Sequence, residues 1–344
     1  MSLDVQLLTA EDCPRWDLFV MQHDHGSPFH LSAWKACIEE SFGYKPRYLL
    51  ATESHMIRAV LPLFLVENFI LKRALISSPF AVYGGILANS DEARQAISAE
   101  ARRLGAELGV QYIELRGGHR EQIIGEPNVD RYATFTKLLS DNEEALMASL
   151  PMKMRKNVRR ALRTPFTMRI GCREIDEFER IHSTTMRRLG TPCFPKQYFK
   201  AILRHFGDMA DVREVIHQDR VVAASLNFFF RGTMHCYYAG ADQDYNTVRP
   251  NTFMYYDHLR WAGQHGFKTF EFGRSKKGTG PFEFKRHWGT EMHELPYEVL
   301  LVRKKEVPNY SPTNKNFGLA IRVWRNLPPV VARAIGPRLI RLFP

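Results

Sequence analysis

The chain has 344 residues, 44% of them hydrophobic, and a formal net charge of +11. This length suits one large domain or two of ordinary size, and the hydrophobic content excludes a disordered chain. No apolar run is long enough to cross a membrane, and the N-terminus MSLDVQLLTAEDC lacks the basic flank and apolar core of a signal peptide. The five cysteines are scattered and no histidine spacing fits a metal site. The sequence therefore predicts a cytoplasmic protein that binds no metal.

Two zones hold the positive charge. Residues 145–173 contain eight basic residues and no acid, and residues 307–344 contain six basic residues and no acid. The remainder of the chain is close to neutral. Such zones attract phosphate, whether in nucleic acid, in lipid headgroups or in a nucleotide-linked substrate.

The first half predicts alternating helices and strands. In chain order these are a strand at 5–9, helices near 14–20 and 31–42, strands at 47–52 and 57–66, another strand toward Tyr83, a helix at 91–108 and a strand after Gly109.

The second half predicts the same order. Its elements are a strand at 166–170, helices at 174–189 and 195–206, strands at 212–217, 221–231 and 234–241, a helix at 250–265, a strand at 269–273 and a strand pair near 293–303. Short turns between the three central strands indicate an antiparallel meander.

The two halves also share residue spacing. A tyrosine precedes a glutamate by 31 residues in the first half (Tyr83, Glu114) and by 33 in the second (Tyr238, Glu271), and a glycine stands five residues before each glutamate. This spacing fits a helix that ends at the glycine and a strand that follows it.

We therefore predict an α+β protein of two tandem acetyltransferase-like (GNAT) domains with mostly antiparallel central sheets. The predicted bounds are 1–145 for the first domain, 146–308 for the second and 309–344 for a basic amphipathic tail.

Several ordered blocks carry a family resemblance. They are FHLSAWKACIEESFGY (29–44), ISSPFAVYGG (76–85), LPMKMRKNVRRAL (150–162), RRLGTPCFPKQYF (187–199), NTVRPNTFMYYDHLRWA (246–262), FGRSKKGTGPFEFKRHWG (272–289), NYSPTNKNF (309–317) and WRNLPPVVARAIGPRLIR (324–341). The chain resembles the FemAB-related acyltransferases, and within them the branch associated with exosortase and PEP-CTERM systems. The resemblance implies transfer of an aminoacyl or acyl group to an amine on a peptidoglycan, exopolysaccharide or other cell-envelope precursor.

The glycine-rich block at 272–289 contains the first site candidate. It is not a Walker loop, because Thr279 stands where lysine is required, and Gly280 is followed by Pro281 rather than by a dinucleotide-type helix start. We expect a loop that presents Lys285, and the resemblance implies that this lysine lies near the reacting centre. A fixed cation there would stabilise the oxyanion formed when an amine attacks an ester or thioester. The alternative is a solvated charge.

The basic block at 150–162 predicts a helix with a buried stripe at Met154, Val158 and Leu162. A solvated basic face is the simple interpretation of its cations. The resemblance implies contact with substrate phosphates instead, and the candidates are Lys153, Arg155 and Arg159.

The helix start at Arg249-Pro250-Asn251 is a third candidate, as a site for donor phosphates or as a plain cap by Asn251. The two spaced glycines usual in acyl-CoA users are absent here, which weakens acyl-CoA and favours aminoacyl-tRNA or another bulky donor, so the expected donor co-substrate is aminoacyl-tRNA or acyl-CoA. We expect no tightly bound cofactor.

Glu271 is a candidate general base, or a buried partner of Arg274 or Lys285. Tyr238, Arg274 and Ser275 complete the expected substrate contacts, with a core position the alternative for Tyr238. No serine nucleophile motif occurs, so we expect direct attack.

The tail predicts two short apolar and cationic segments divided by Pro328-Pro329. These either rest on an anionic membrane, at its inner face, or pack on the domain. The expected partners are a phosphorylated or lipid-linked precursor and, as donor, tRNA. The competing hypothesis is a non-catalytic protein of the same fold that binds nucleic acid or anionic membrane.

Overall fold

A computed structural model describes residues 3–117, 126–128, 132–307 and 315–344. The chain forms two compact units. The first comprises Met1–Arg131, Leu295–Tyr310 and Arg341–Pro344, and the second comprises Tyr132–Glu294 and Ser311–Ile340. Both units combine helices with largely antiparallel sheets, which confirms the predicted α+β class.

The first unit is built on two sheets. Its helices are α1 (Cys13–Gln22), α2 (Ser32–Phe42) and α3 (Asp91–Glu107). Its strands are β1 (Asp4–Leu7), β2 (Lys45–Pro46), β3 (Leu49–Glu53), β4 (Met56–Leu61), β5 (Leu63–Asn68), β6 (Lys72–Ser77), β7 (Leu87–Ala88), β8 (Tyr112–Arg116), β9 (Glu126–Asn128) and the late strand β18 (Tyr297–Leu301). The sheet orders are β1-β3-β4-β7 and β2-β5-β6-β8-β18-β9.

The single strand predicted at 57–66 was wrong. Pro62 divides it into β4, which pairs with β3, and β5, which pairs with β6 in the other sheet. Proline has no N–H to donate to a sheet ladder, so a change of sheet at this residue loses no hydrogen bond.

The second unit is built on one sheet. Its helices are α4 (Glu143–Ser149), α5 (Met152–Ala161), α6 (Asp176–Leu189), α7 (Lys196–Phe206), α8 (Pro250–Gln264), α9 (Gly280–Arg286), α10 (Lys315–Asn326) and α11 (Pro329–Ile340). Its strands are β10 (Tyr132–Leu138), β11 (Thr167–Ile170), β12 (Ala210–His217), β13 (Arg220–Phe230), β14 (Thr233–Ala241), β15 (Thr269–Glu271), β16 (Ser275–Lys276) and β17 (Glu291–Glu294). They lie in the order β11-β12-β13-β14-β15-β10-β16, with β17 also paired to β10.

Each unit includes a strand from outside its predicted bounds. β10 precedes residue 146 yet pairs with β15 in the second unit, and β18 precedes residue 309 yet pairs with β8 in the first. The predicted pair near 293–303 is therefore not a pair, because β17 and β18 belong to different sheets. Cutting the chain at 145 and 308 would remove one strand from each sheet.

Both units repeat one core arrangement. In the first, α3 lies between β7 and β8 in the chain, and β8 pairs in parallel with β6. In the second, α8 connects β14 to β15, which also pair in parallel. The glycine after each helix, Gly109 or Gly266, has a positive φ (66° and 82°), as predicted from the spacing. The tyrosines do not correspond, because Tyr238 lies on β14 whereas β6 ends at Ser77, before Tyr83.

Within the described residues, no helix is both long enough and apolar enough to cross a membrane.

Candidate active site

Lys285 lies on a helix rather than on the expected loop. Pro281 occupies the first turn of α9, where the N–H that proline lacks would have no helical partner. The expectation of a loop at Lys285 was wrong for this reason. The last turn of α9 carries Lys285, a favourable place for a cation.

The Lys285 ammonium is buried, with the residue 8% exposed. Its Nζ donates to the carbonyl oxygens of Gly273 at 2.8 Å and Arg274 at 3.2 Å. Burial lowers the pKa of Lys285 to about 8, although the nearby Cys236 and Glu271 act to raise it. The alternative of a solvated loop charge is therefore wrong.

The lysine sits where two parallel strands stop pairing. β14 and β15 pair from Thr233 to His235 and from Thr269 to Glu271, after which β14 continues to Ala241 while β15 ends. Gly273, just beyond this point, has a φ of 73°, and a Cβ there would lie 3.0 Å from the Cys236 carbonyl oxygen. Glycine thus lets the chain turn close to β14 and directs its carbonyl to Lys285.

Glu271 is buried beside this turn and is 5% exposed. The Thr134 hydroxyl donates to Oε1 at 2.8 Å, and His235 Nδ1 lies 2.7 Å from Oε2. The Glu271 carboxylate therefore lies against Thr134 and His235, and its charge also acts on the Lys285 ammonium. A buried carboxylate beside an imidazole can accept or pass on a proton.

A cleft of about 140 Å³ lies beside α9, and Lys285 is not among the residues that line it. It is lined by Lys153, Met154, Asn157, Arg249, Thr252, Phe284 and His287. Two of these residues are permanent cations and none is a carboxylate, so the cleft suits an anion. Since α9 provides Phe284 and His287 to the cleft and Lys285 to the interior, one helix connects the cleft with the buried lysine.

The N-terminus of α8 forms one wall of the cleft. Arg249 occupies the N-cap position with a φ of 65°, and no side chain caps the helix. The interpretation of Asn251 as the cap was wrong, because it lies two residues further on. Arg249 Nε is buried and has no hydrogen-bond partner among the described residues. A left-handed non-glycine residue is costly, and such strain concentrates at functional sites.

The predicted anion-binding residues of α5 separate into two groups. Lys153 lines the cleft, and Arg159 is exposed on the helix surface. Arg155 instead donates through Nη2 to the carbonyl oxygens of Ala148 and Leu150, at 2.9 and 3.1 Å. The guanidinium of Arg155 thereby provides hydrogen bonds to carbonyl groups at the C-terminal end of α4, a structural role that a charge pattern alone does not indicate.

The other predicted substrate contacts lie outside the cleft lining. Tyr238 is 8% exposed within an aromatic cluster, and its hydroxyl lies 2.9 Å from that of Tyr198. Arg274 places its guanidinium 4.7 Å from the centre of the Tyr132 ring. Ser275 is buried, and its Oγ has no hydrogen-bond partner among the described residues. Tyr238 thus takes the core position that was its alternative.

Sequence reasoning missed residues at the buried carboxylate and in the cleft. These are Thr134 and His235 at the buried carboxylate and Asn157, Thr252, Phe284 and His287 in the cleft. Asn157 follows Lys153 by four residues on α5, so helical spacing places the two on one face. No sequence pattern indicated that Thr134 contacts Glu271, because Thr134 lies on β10, which precedes the predicted second domain.

Comparison with known proteins places a domain over this site. Residues 152–286 match the family described as acetyltransferase (GNAT) domain. A lipid II:glycine glycyltransferase from Staphylococcus haemolyticus is 30% identical over 95 residues, which cover 25% of this chain and 22% of that protein. The chain thus matches about a fifth of the length of that curated relative.

Solved structures show the fold. FemX superimposes with a TM-score of 0.65 at 15% identity, covering 85% of this chain and 96% of that one. A tandem GNAT protein of clavulanic acid biosynthesis gives 0.54 at 10% identity, covering 89% and 100%. The predicted tandem GNAT fold is confirmed. Together the comparisons show the GNAT fold in both units and a match to an acetyltransferase (GNAT) domain over residues 152–286.

Proposed function

We propose that the protein transfers an acyl or aminoacyl group to an amine of a phosphorylated, lipid-linked cell-envelope precursor. The observation that carries this proposal is the buried Lys285, which sits at the gap between β14 and β15 on the helix that also lines a cationic cleft. The similarity to a lipid II:glycine glycyltransferase supports the choice of precursor.

The chemistry is direct attack. The amine lone pair forms a C–N bond to the donor carbonyl carbon, and the carbonyl oxygen becomes an oxyanion that the Lys285 ammonium stabilises. Glu271, held by Thr134 and His235, is the group we assign to accept the amine proton. The oxyanion then collapses, the C–O or C–S bond to the donor breaks, and the leaving group takes up the proton that Glu271 accepted, which returns Glu271 to its carboxylate form.

The cleft binds the charged part of a substrate in this proposal. Lys153 and Arg249 face the same space, and the uncapped N-terminus of α8 offers N–H groups to a phosphate. The donor is an activated acyl ester or thioester, as in aminoacyl-tRNA or acyl-CoA. The setting in exopolysaccharide assembly and the exosortase and PEP-CTERM branch remains a prediction from the sequence blocks.

Product mass spectrometry tests the proposal. The full chain is incubated with a lipid-linked, amine-bearing precursor and, in separate arms, with charged tRNAs or acyl-CoAs. The expected product carries one acyl or aminoacyl addition on the amine, in one donor arm. If no arm yields an addition while the protein is folded, the proposed reaction is wrong.

A further inference from the structure

The tail helices α10 and α11 are anchored through one face each. Trp324 is 6% exposed and its indole N–H donates to the Thr191 carbonyl oxygen at 3.0 Å. On α11, Ala332, Gly336 and Ile340 are buried, and Arg333 forms an ion pair with Glu179 of α6. The tail therefore packs on the second unit, which is one of the two arrangements predicted from the sequence.

The outward faces of the same helices expose aliphatic side chains. Leu319 is 72% exposed and Val323 is 55% exposed on α10, while Val330 is 80% exposed and Val331 is 40% exposed on α11. Packing on α6 does not account for these residues, since they lie opposite the buried positions. An exposed apolar patch of this kind marks an interaction surface.

Cations accompany the exposed aliphatic side chains. Arg322 lies beside Val323 on α10, Arg338 lies on the outward face of α11, and both are exposed. Residues 307–344 include no acidic residue that could neutralise them. Aliphatic side chains with uncompensated cations complement an anionic lipid surface, which offers acyl chains below phosphate groups.

This composition distinguishes lipid from nucleic acid. Single-stranded RNA is bound by exposed aromatic rings on which bases stack. The Trp324 ring is turned inward, and the exposed large apolar residues described on these helices are leucine and valine. We propose that the outward faces of α10 and α11 dock on an anionic lipid bilayer. This goes beyond the proposed transfer reaction, because no described residue of α10 or α11 lines the cleft.

Vesicle flotation of the full chain tests the docking surface. We expect binding to phosphatidylcholine vesicles that contain phosphatidylglycerol, weaker binding to pure phosphatidylcholine, and loss of binding as salt rises. Arg322→Glu combined with Arg338→Glu should lower the affinity by at least about tenfold. Leu319→Asp combined with Val323→Asp should do the same by removing the apolar contribution.

A matched control is available in the first unit. Phe69 is 80% exposed, and Phe69→Asp should leave vesicle affinity unchanged. Unchanged thermal unfolding of the two tail variants will show that they fold. Equal binding to neutral and anionic vesicles, no binding to either, or full binding by both tail variants would overturn the proposal. The proposal would also be overturned if the wild type bound no vesicles and the tail variants lost affinity for tRNA instead.

The transfer reaction is measured separately on a precursor analogue that lacks its lipid. Because the tail variants leave the cleft intact, they should transfer to this analogue as the wild type does. A tail variant that loses vesicle binding but keeps transfer supports docking, whereas loss of transfer to the analogue in every form of the protein would contradict only the proposed reaction.

Discussion

Both units contain a helix that is followed by a strand, α3 and β8 in the first and α8 and β15 in the second, and the N-termini of the two helices differ. In the first, α3 begins with Ser90, whose side chain accepts from the Ala93 N–H, and continues with Asp91 and Glu92. This is how a helix N-terminus is stabilised from within the protein. In the second, α8 begins with Arg249 in a left-handed conformation, without a side-chain cap and without an acid in its first turn. An N-terminus left in this state is available to an external anion.

The glutamate that follows each helix shows the same contrast. Glu114 in the first unit accepts from Arg116 at 2.8 Å, and Arg116 also donates to the Pro344 carbonyl oxygen at 2.6 Å. These two hydrogen bonds of Arg116 both go to protein acceptors. In the second unit Glu271 is held by Thr134 and His235, and the separate cation Lys285 keeps a lowered pKa of about 8. The difference teaches that two copies of one fold can place a glutamate after the same helix and surround it with different partners.

The largest expected effect concerns the units themselves. A fragment of residues 146–308 lacks β10, which pairs with β15, β16 and β17. It should give no cooperative thermal unfolding transition, because three strands lose a partner. A fragment of residues 132–294 retains β10 and is the matched control, which should unfold cooperatively. A cooperative transition for 146–308 would contradict the conclusion that the second unit requires β10.

The second prediction concerns pH. The pKa of Lys285 is lowered to about 8, so its ammonium is present below that pH and is lost above it. Turnover should therefore fall above pH 8, approaching about tenfold per pH unit. Lys285→Arg should abolish this falling limb, because guanidinium stays protonated. The rising limb from deprotonation of the acceptor amine should be the same in both proteins, and a falling limb that persists in Lys285→Arg would exclude this lysine as its source.

The third prediction uses the two helix N-termini. Arg249→Ala should raise KM for the phosphorylated substrate by about tenfold, the effect of losing one charged hydrogen bond. Ser90→Ala, at the start of α3, should instead cost about 1 kcal/mol of unfolding free energy and leave KM unchanged. Steady-state kinetics and denaturant unfolding separate the two. An unchanged KM in Arg249→Ala would place the phosphate elsewhere.

The smallest effects distinguish two arginines on α5. Arg155→Ala removes hydrogen bonds to the carbonyls of Ala148 and Leu150, so unfolding free energy should fall by about 1–3 kcal/mol. Arg159→Ala affects an exposed side chain and should change stability by less than about 0.5 kcal/mol. Urea unfolding measures both. Equal stabilities would show that the Arg155 hydrogen bonds contribute little.

Periodicity and spacing predicted much of the fold from the sequence. The helix at 250–265 and the glycine after it were evident because Pro250 and Gly266 mark both ends. The pairing of β10 in the second unit and of β18 in the first was not evident from the sequence, because pairing between distant segments leaves no local pattern. The predicted bounds at 145 and 308 followed chain order, whereas hydrogen bonding across the sheets does not.

The site was only partly predictable for the same reason. A run of cations identified α5, but the run does not show where each cation points. Lys153 lines the cleft, whereas Arg155 donates to carbonyl oxygens at the end of α4, and only the position of α4 separates these two outcomes. The burial of Lys285 likewise depends on the turn at Gly273 and on the path of β14. The charge pattern identified the region, and tertiary contacts decide which of its cations line the cleft.

Single-turnover transfer by Lys285→Met tests the central claim most directly. Methionine retains much of the aliphatic stem of Lys285 but has no charge, so the cleft and substrate binding should survive. The rate of acyl transfer should fall by about 10²–10³-fold, the usual cost of removing one stabilising contact to an oxyanion, with little change in substrate affinity. A folded Lys285→Met protein that transfers at the wild-type rate would contradict the account.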